Sequence, residues 1–346
     1  AGWHGQYDTP TGSKLLKEMI DHDVNHPSIV LWVNGNEGGH NLDLDPLFAQ
    51  HDLQQRTVVH AWQLFNGIET QHYREFGYGI GNYDKGREIV MPTEFLHGQF
   101  DGGHGAGLED YWEYMWNEPL QAGGFLWDYA DQAVVRKDKK DSLDTDKHRA
   151  ADGILGPHLE KEGSFFAIKE IWSPVKIKRR EIVEGFDGRF EIENRYHFTN
   201  LRNCQYKWSL KYLGKDYQED RRGETSFFPD VPPGQKGWLQ LSLPVNWMTY
   251  DALYLTAIDP HGNELFTWSY PIVSPANMVK RMVKTSGIAK INVEEMPDTW
   301  RFNVKDVLFE INRQTGIISN IQNASGKIPF GNGPVLEEGI NNFGNF

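Results

Sequence analysis

Leu15, Leu16, Met19 and Ile20 recur at the spacing of one helix face, so GSKLLKEMIDHDVNH is predicted as an amphipathic helix that Pro27 closes. IVLWV, residues 29–33, follows as a short continuous apolar run, the pattern of a parallel strand buried on both faces. The alternation then repeats. A helix is expected around DPLFAQHDLQQ, strands at TVVHAW, GIETQHY and REIVMPTEF, a helix at GLEDYWEYMW, a strand at GGFLWDY and a helix at SFFAIKEIW. Strands alternating with helices imply a parallel sheet or barrel.

Past Trp172 the period changes. GRFEIENRYHF, QYKWSLKYL, GWLQLSL and ALYLTAI alternate apolar and polar residues between regularly spaced turn signals, which predicts an antiparallel sandwich from Pro174 to about Pro275. VPPGQKGW reads as a turn and DKKDSLDTDKHR, 138–149, as a solvated charged loop. SPANMVKRMVKTSG is linker-like and leads into another β pattern, WRFNVKDVLFEINRQTGIISNIQNASGK, with Gly316 in a hairpin turn. No internal repeat or low-complexity tract interrupts this order.

Composition narrows the partners. A formal net charge of −13 opposes nucleic acid or an anionic membrane, because phosphate binding needs clustered Lys and Arg. The lone Cys204 excludes an intramolecular disulfide framework. Aromatics make up 13% of the chain, with 12 Trp, and two readings stay open: aromatic-rich β packing, or platforms on which a sugar face stacks. No apolar stretch approaches the ~18 residues of a membrane span. AGWHGQYDTPTGSKLL has no Met, no basic n-region and no apolar h-region, so the chain is expected to be one section of something longer.

Chemistry is expected where polar residues follow apolar strands, since in a β/α barrel the loops after the strands build the active site. Glu37 follows IVLWV, Glu94 ends EIVMPTEF, and Asp128 and Asp131 follow GGFLW. A single acid in such a place is commonly a helix cap or a loop ion pair. Two glutamates on two strand ends can instead face each other across a barrel mouth, as glycoside hydrolysis requires.

NHPSIVLWVNGNEGGHN resembles the acid/base segment of glycoside hydrolase family 2. PTEFLHGQFDGGHGAGLEDYW resembles its nucleophile segment, and GGFLWDYADQ the strand and loop that follow. The three motifs stand in the family's order, and the Gly-Gly-His after Glu37 resembles the β-galactosidase branch. The resemblance implies a multidomain chain: the C-terminal portion of a (β/α)8 TIM barrel over 1–173, an immunoglobulin-like β-sandwich over 174–276, and over 277–346 a linker and the start of a large β-sandwich domain. It implies a retaining exo-β-galactosidase acting on terminal β-galactosides of oligo- or polysaccharides. The alternatives are another family 2 exo-glycosidase, or an inactive carbohydrate-binding relative.

Residue by residue, the resemblance makes Glu37 the general acid/base and Glu94 the nucleophile. Asn36 would donate to the sugar 2-hydroxyl, Tyr73 would tune Glu94, His97 follows as a galactosidase histidine does, and Trp127 would wall the sugar pocket. His4, counted with Asn36, Tyr73, His97 and Trp127 among the substrate-binding residues, aligns with a family magnesium ligand, but Gly2 stands where a glutamate is expected, and Glu160 and Lys161 occupy the place of an Asn-Asp pair that helps hold a monovalent ion. A divalent or monovalent cation therefore has only part of its family ligand set, and no metal ligand or cofactor is assigned. The expected partners are a carbohydrate and the N-terminal part of the same protein, with self-association open and neither nucleic acid nor membrane. These residues alone are expected to hydrolyse little aryl β-galactoside, and a periplasmic or extracellular location is favoured over the cytoplasm.

Overall fold

The computed structural model describes residues 9–73, 76, 87–98, 104–145, 151–213, 221–225, 228–283, 289–330, 337–338 and 341–342. The chain divides into two compact units, one of residues 1–213 and 218–272, the other of 214–217 and 273–346.

The larger unit begins with α1 (Thr9–Asp23), whose buried stripe is Gly12, Leu16 and Ile20. Gly12 has a packing reason, because a Cβ there would sit 3.0 Å from Leu44 Cδ1. Leu16 and Ile20 share a core with Trp32, Leu44, Phe48 and Val58, while Leu15 and Met19 of the predicted face are exposed. β1 (Leu31–Val33) pairs in parallel with β2 (Thr57–Val59) across α2 (Asp45–His51). The expectation that IVLWV is buried on both faces fails. Trp32 is 5% exposed but Val30 is 74% and Val33 41% exposed, and among the described residues β1 has β2 as its one ladder neighbour, so its outer side is uncovered.

GIETQHY is likewise not one strand. β3 (Leu64–Phe65) and β4 (Ile68–Glu69) form a short antiparallel hairpin around Asn66 and Gly67, both at positive φ, the Asn-Gly chemistry of a tight primed turn. β4 then runs parallel to β5 (Ile89–Val90), and single parallel bridges continue the series at Val90–Gln121, Phe95–Leu126 and Ala130–Leu155. GGFLWDY, expected as a full strand, contributes one such bridge among the described residues, Leu126 to Phe95. α3 (His104–Asn117) and α4 (Gly163–Ile171) enclose Phe95, Leu96, Leu108, Met115, Ile168 and Ile171. Their close approach needs Gly105, where a Cβ would lie 2.6 Å from Ala167 Cβ. Residues 138–149, expected as a loop, instead include part of a hairpin: β6 (Ala133–Arg136) pairs with β7 (Ser142–Thr145), and Arg136 bridges Asp138 at 2.7 Å and Asp144 at 2.6 Å.

The rest of this unit is two antiparallel sheets. β8 (Val175–Ile177), β9 (Arg189–Asn194) and β12 (Lys236–Gln240) make one; β10 (Gln205–Lys211), β11 (Arg221–Glu224), β13 (Ala252–Ile258) and β14 (Glu264–Pro271) make the other. Their facing side chains, among them Phe190, Ile192, Tyr206, Leu210, Leu239, Leu253, Leu255 and Tyr270, form the largest core. Period-two alternation along β9 and β10 puts every second residue into it. Charged groups tie these sheets to α3: Lys176 Nζ meets Glu109 at 2.8 Å and Glu113 at 3.2 Å, and Arg195 donates to Glu113 at 2.9 Å.

In the smaller unit the linker-like stretch is helical as α5 (Pro275–Met282), capped by Ser274, whose hydroxyl accepts from Asn277 N at 3.3 Å. A five-stranded antiparallel sheet follows, β15 (Asn292–Glu295), β16 (Thr299–Val304), β17 (Val307–Asn312), β18 (Ile318–Asn323) and β19 (Gly326–Lys327). Gly316, at φ 70°, lies in the β17–β18 turn as expected. β20 (Glu337–Glu338) pairs with β21 (Asn341–Asn342).

Candidate active site

Three side chains leave the short parallel strands at equivalent places: Glu37 follows β1 by the same interval as Tyr73 follows β4 and Glu94 follows β5. The loop carrying Glu37 is held from beneath. Buried Asn34 donates to the Asn41 carbonyl at 2.9 Å and to Asp45 Oδ1 at 2.7 Å, and its own N–H bonds Val59 O at 2.9 Å. Gly35, at φ +78°, passes so near His40 that a Cβ would stand 2.5 Å from its Cα, so only glycine fits. Glu37 and Tyr73 are themselves left-handed, at φ 43° and 47°. Non-glycine residues persist in that region where their surroundings over-determine them, a condition that clusters at functional sites.

Glu94 is fixed from both sides of the chain. Phe95, 1% exposed, donates its N–H to Phe125 O at 2.9 Å, and Tyr73 N bonds Glu94 O at 3.0 Å. The Tyr73 hydroxyl donates to Glu94 Oε2 at 2.5 Å. His72 stands between the two acids, with Nδ1 3.3 Å from Glu37 Oε1 and 3.4 Å from Glu94 Oε2. One ligand atom from each of Glu37, His72 and Glu94 lies within 4.8 Å of the others. Both carboxyl side chains are 12% exposed and the imidazole 1%. Two carboxylates this close and this dry repel each other when both are ionised.

A second group adjoins the first through Tyr73, whose ring lies 5.6 Å from that of His97. His97 Nε2 is 3.7 Å from Asp152 Oδ2, and Trp127 Nε1 donates to the same oxygen at 3.2 Å. The Trp127 carbonyl accepts from Gly98 N at 3.0 Å and from His104 Nε2 at 2.6 Å. Burial pushes the Asp152 carboxyl above its ordinary pKa, with the positive charge of His97 pulling the other way. Burial likewise lowers His104.

The structure thus brings Glu37, Glu94 and Tyr73 into one cluster and sets His97 and Trp127 beside it on Asp152. Asn36 precedes Glu37 with its side chain exposed. His4 lies outside the described residues. Glu160 and Lys161 do not join the site: Glu160 Oε2 accepts from His158 N at 2.8 Å, and Lys161 sits 4.9 Å over the Phe165 ring. Sequence reasoning missed His72, Thr93, Asp152 and His104. His72 and Thr93 are the immediate neighbours of residues it did select, and that adjacency was the available signal. Nothing in ADGIL announces a buried acid at Asp152, because its burial depends on residues remote in sequence.

Residues 8–150 match the model described as glycosyl hydrolases family 2, TIM barrel domain. Among curated proteins the chain is similar to the β-galactosidase of Priestia megaterium, 27% identical over 58% of this chain and 21% of the relative. It is similar to that of Halalkalibacterium halodurans, 30% identical over 66% of this chain and 23% of the relative. The β-galactosidase of Alteromonas mediterranea is 20% identical over 92% of this chain and 33% of its own length. The chain therefore spans between about a fifth and a third of the curated relatives it matches. Among the described residues, no helix is long and apolar enough to cross a membrane.

Proposed function

The chain belongs to glycosyl hydrolases family 2, β-galactosidase-like, and on that premise we propose that it carries both catalytic carboxyl groups of a retaining exo-β-galactosidase. The observation that carries the reading is the approach of one carboxyl oxygen of Glu37 to within 4.8 Å of one of Glu94. Retaining glycosidases hold their carboxyls about 5–5.5 Å apart, so that one can attack the sugar directly, whereas inverting enzymes leave about 6.5–9.5 Å for a water.

In the mechanism Glu94 is ionised and attacks the anomeric carbon while Glu37, protonated, gives its proton to the departing oxygen. The resulting galactosyl ester on Glu94 is cut by water, with Glu37 now the base. The Tyr73 hydroxyl donates to Glu94 Oε2 at 2.5 Å, which holds that carboxyl in place, and must release that bond as the ester forms. Asn36 reaches the 2-hydroxyl of the sugar. Trp127 walls the pocket, its indole held by Asp152 at 3.2 Å, and His97 contacts a further hydroxyl.

The barrel portion to residue 173, the sandwich to 276, of immunoglobulin type, and the opening of a large β-sandwich domain after it complete the proposed architecture. The parallel bridges of the first part and the two facing sheets of the second support it. The substrate is a terminal β-galactoside of an oligo- or polysaccharide outside the cytoplasm, turnover needs the rest of the same protein, and neither nucleic acid nor membrane takes part.

The test is mass spectrometry of the full-length protein after reaction with a 2-fluoro-β-galactosyl substrate. One sugar mass on the peptide bearing Glu94, abolished by Glu94→Gln, supports the reading. An adduct only with another fluorosugar keeps the retaining enzyme and overturns the substrate; no adduct with any would make the chain a binding relative.

A further inference from the structure

The hydrogen bonds around Thr93 assign the proton of neutral His72 to one ring nitrogen. The Thr93 hydroxyl donates to the Thr70 carbonyl at 3.2 Å. Toward His72 Nε2, 2.8 Å away, it can then only accept, so Nε2 is the N–H. In the neutral ring Nδ1 is therefore a lone pair, and it points at Glu37 Oε1 and Glu94 Oε2. The ring is 1% exposed, and Glu37 Oε2 is buried with no hydrogen-bond partner among the described residues. A lone pair and two carboxylate oxygens converging in a dry place lack an acceptor of electron density, which a proton or a metal cation supplies.

We infer that Glu37, His72 and Glu94 form a binding site for a zinc-like divalent transition metal. Zinc bound through nitrogen and oxygen at about 2.0–2.1 Å in tetrahedral array sets its ligand atoms about 3.3 Å apart. The two distances from Nδ1 are 3.3 and 3.4 Å, and the two carboxylate oxygens, within 4.8 Å of each other, close the third edge by rotation of one carboxylate. The imidazole is already turned for ligation, since the Nε2–H···Thr93 bond is the kind of outer contact that fixes tautomer and ring plane in zinc sites. Magnesium fits poorly, because it demands near-octahedral oxygen coordination and keeps its waters.

The consequence for activity rests on the reading proposed above. The ion takes the attacking oxygen of Glu94 and requires Glu37 ionised, so it displaces the acid proton and blocks the sugar together. Zinc would inhibit competitively, and its affinity would fall as pH falls and protons reclaim the ligands.

Isothermal titration of the full-length protein with zinc chloride, joined to X-ray absorption at the zinc edge, tests the site. The expected result is one zinc per chain with one nitrogen and two carboxylates from the protein. Affinity should fall at least about a hundredfold in His72→Ala and about tenfold in Thr93→Val, which keeps the shape of the residue and removes only the outer hydrogen bond. Millimolar magnesium should not compete. Equal zinc affinity in wild type and both variants, or no uptake by folded wild type at millimolar zinc, would overturn the inference. Thermal melts of the variants show that folding is retained. Zinc binding without sugar labelling would sink the glycosidase reading alone, and labelling without zinc binding would sink this one alone.

Discussion

The segment bearing Glu37 and Glu94 and the sandwich that follows it are built on opposite terms. The sandwich pairs strands over six and seven residues and aims every second side chain into one apolar core. The site segment has strands of two or three residues, left-handed Glu37 and Tyr73, and buried polar groups at Asn34, His60, His72, His104 and Asp152. Regular pairing and apolar burial stabilise a shape; short ladders with many polar ends leave backbone free to aim side chains. One unit thus separates these tasks, with a large core carrying stability while the other part holds strain and charge.

The largest break in that contrast is Glu94→Gln, which removes the nucleophile while keeping the shape of the residue. Turnover by the full-length protein should fall at least about a thousandfold, with the melting temperature barely moved because the amide keeps the shape of the side chain and an oxygen to accept from Tyr73. A steady-state assay alongside a melt checks both halves. Phe190→Ala is its mirror image. Phe190 is wholly buried and packs on Tyr270 at 5.0 Å between ring centroids, so its loss should cost about 3–5 kcal/mol in urea unfolding and leave the rate per folded molecule unchanged. A matching loss of rate in the folded fraction would mean the two regions are not separable. Tyr73→Phe comes next: without the 2.5 Å bond to Glu94 the rate should drop about ten- to a hundredfold, and the melt should barely move.

The same division explains what could be read from the chain. Alternation in RFEIEN and QYKWSLK predicted β9 and β10 because each side chain's fate depends on the neighbouring strand alone. α1, α2, α3 and α4 were legible for a similar reason, although Leu15 and Met19 were assigned to a buried face that is exposed. GGFLWDY misled. Its apolar run suggested a strand, but the chain there meets its neighbours at single bridges near Phe95 and Ala130 and spends its other groups on Asp152 and Gly98. Residues 275–282 misled in the other direction, since Ser274 and Pro275 form a helix start whose apolar side the surrounding lysines and arginine hid. Glu37 and Glu94 stood out by strand-end position and motif and Tyr73 by the family resemblance alone, whereas His72 and Asp152 became visible only as contacts.

The smallest effect lies at the join of the two regions. Glu113, on α3, meets Arg195 and Lys176 of the sandwich at 2.9 and 3.2 Å. Burial would raise its carboxyl, but hydrogen bonding and charge from Arg195, with Lys176 adding to both, win and hold it at about 2. A carboxyl depressed in the folded state stabilises above its ordinary value of 4.5, and that contribution is lost as pH falls from there through about 2. Wild type should therefore lose melting temperature more steeply than Glu113→Gln across that window. At neutral pH the variant should cost only about 1 kcal/mol, since Lys176 keeps Glu109 at 2.8 Å, Arg195 keeps Glu193 at 3.0 Å, and Glu113 is itself partly solvated. Parallel acid profiles for the two proteins would show that the Glu113 contacts contribute nothing, and that α3 is held to the sandwich by packing and the Glu109 ion pair.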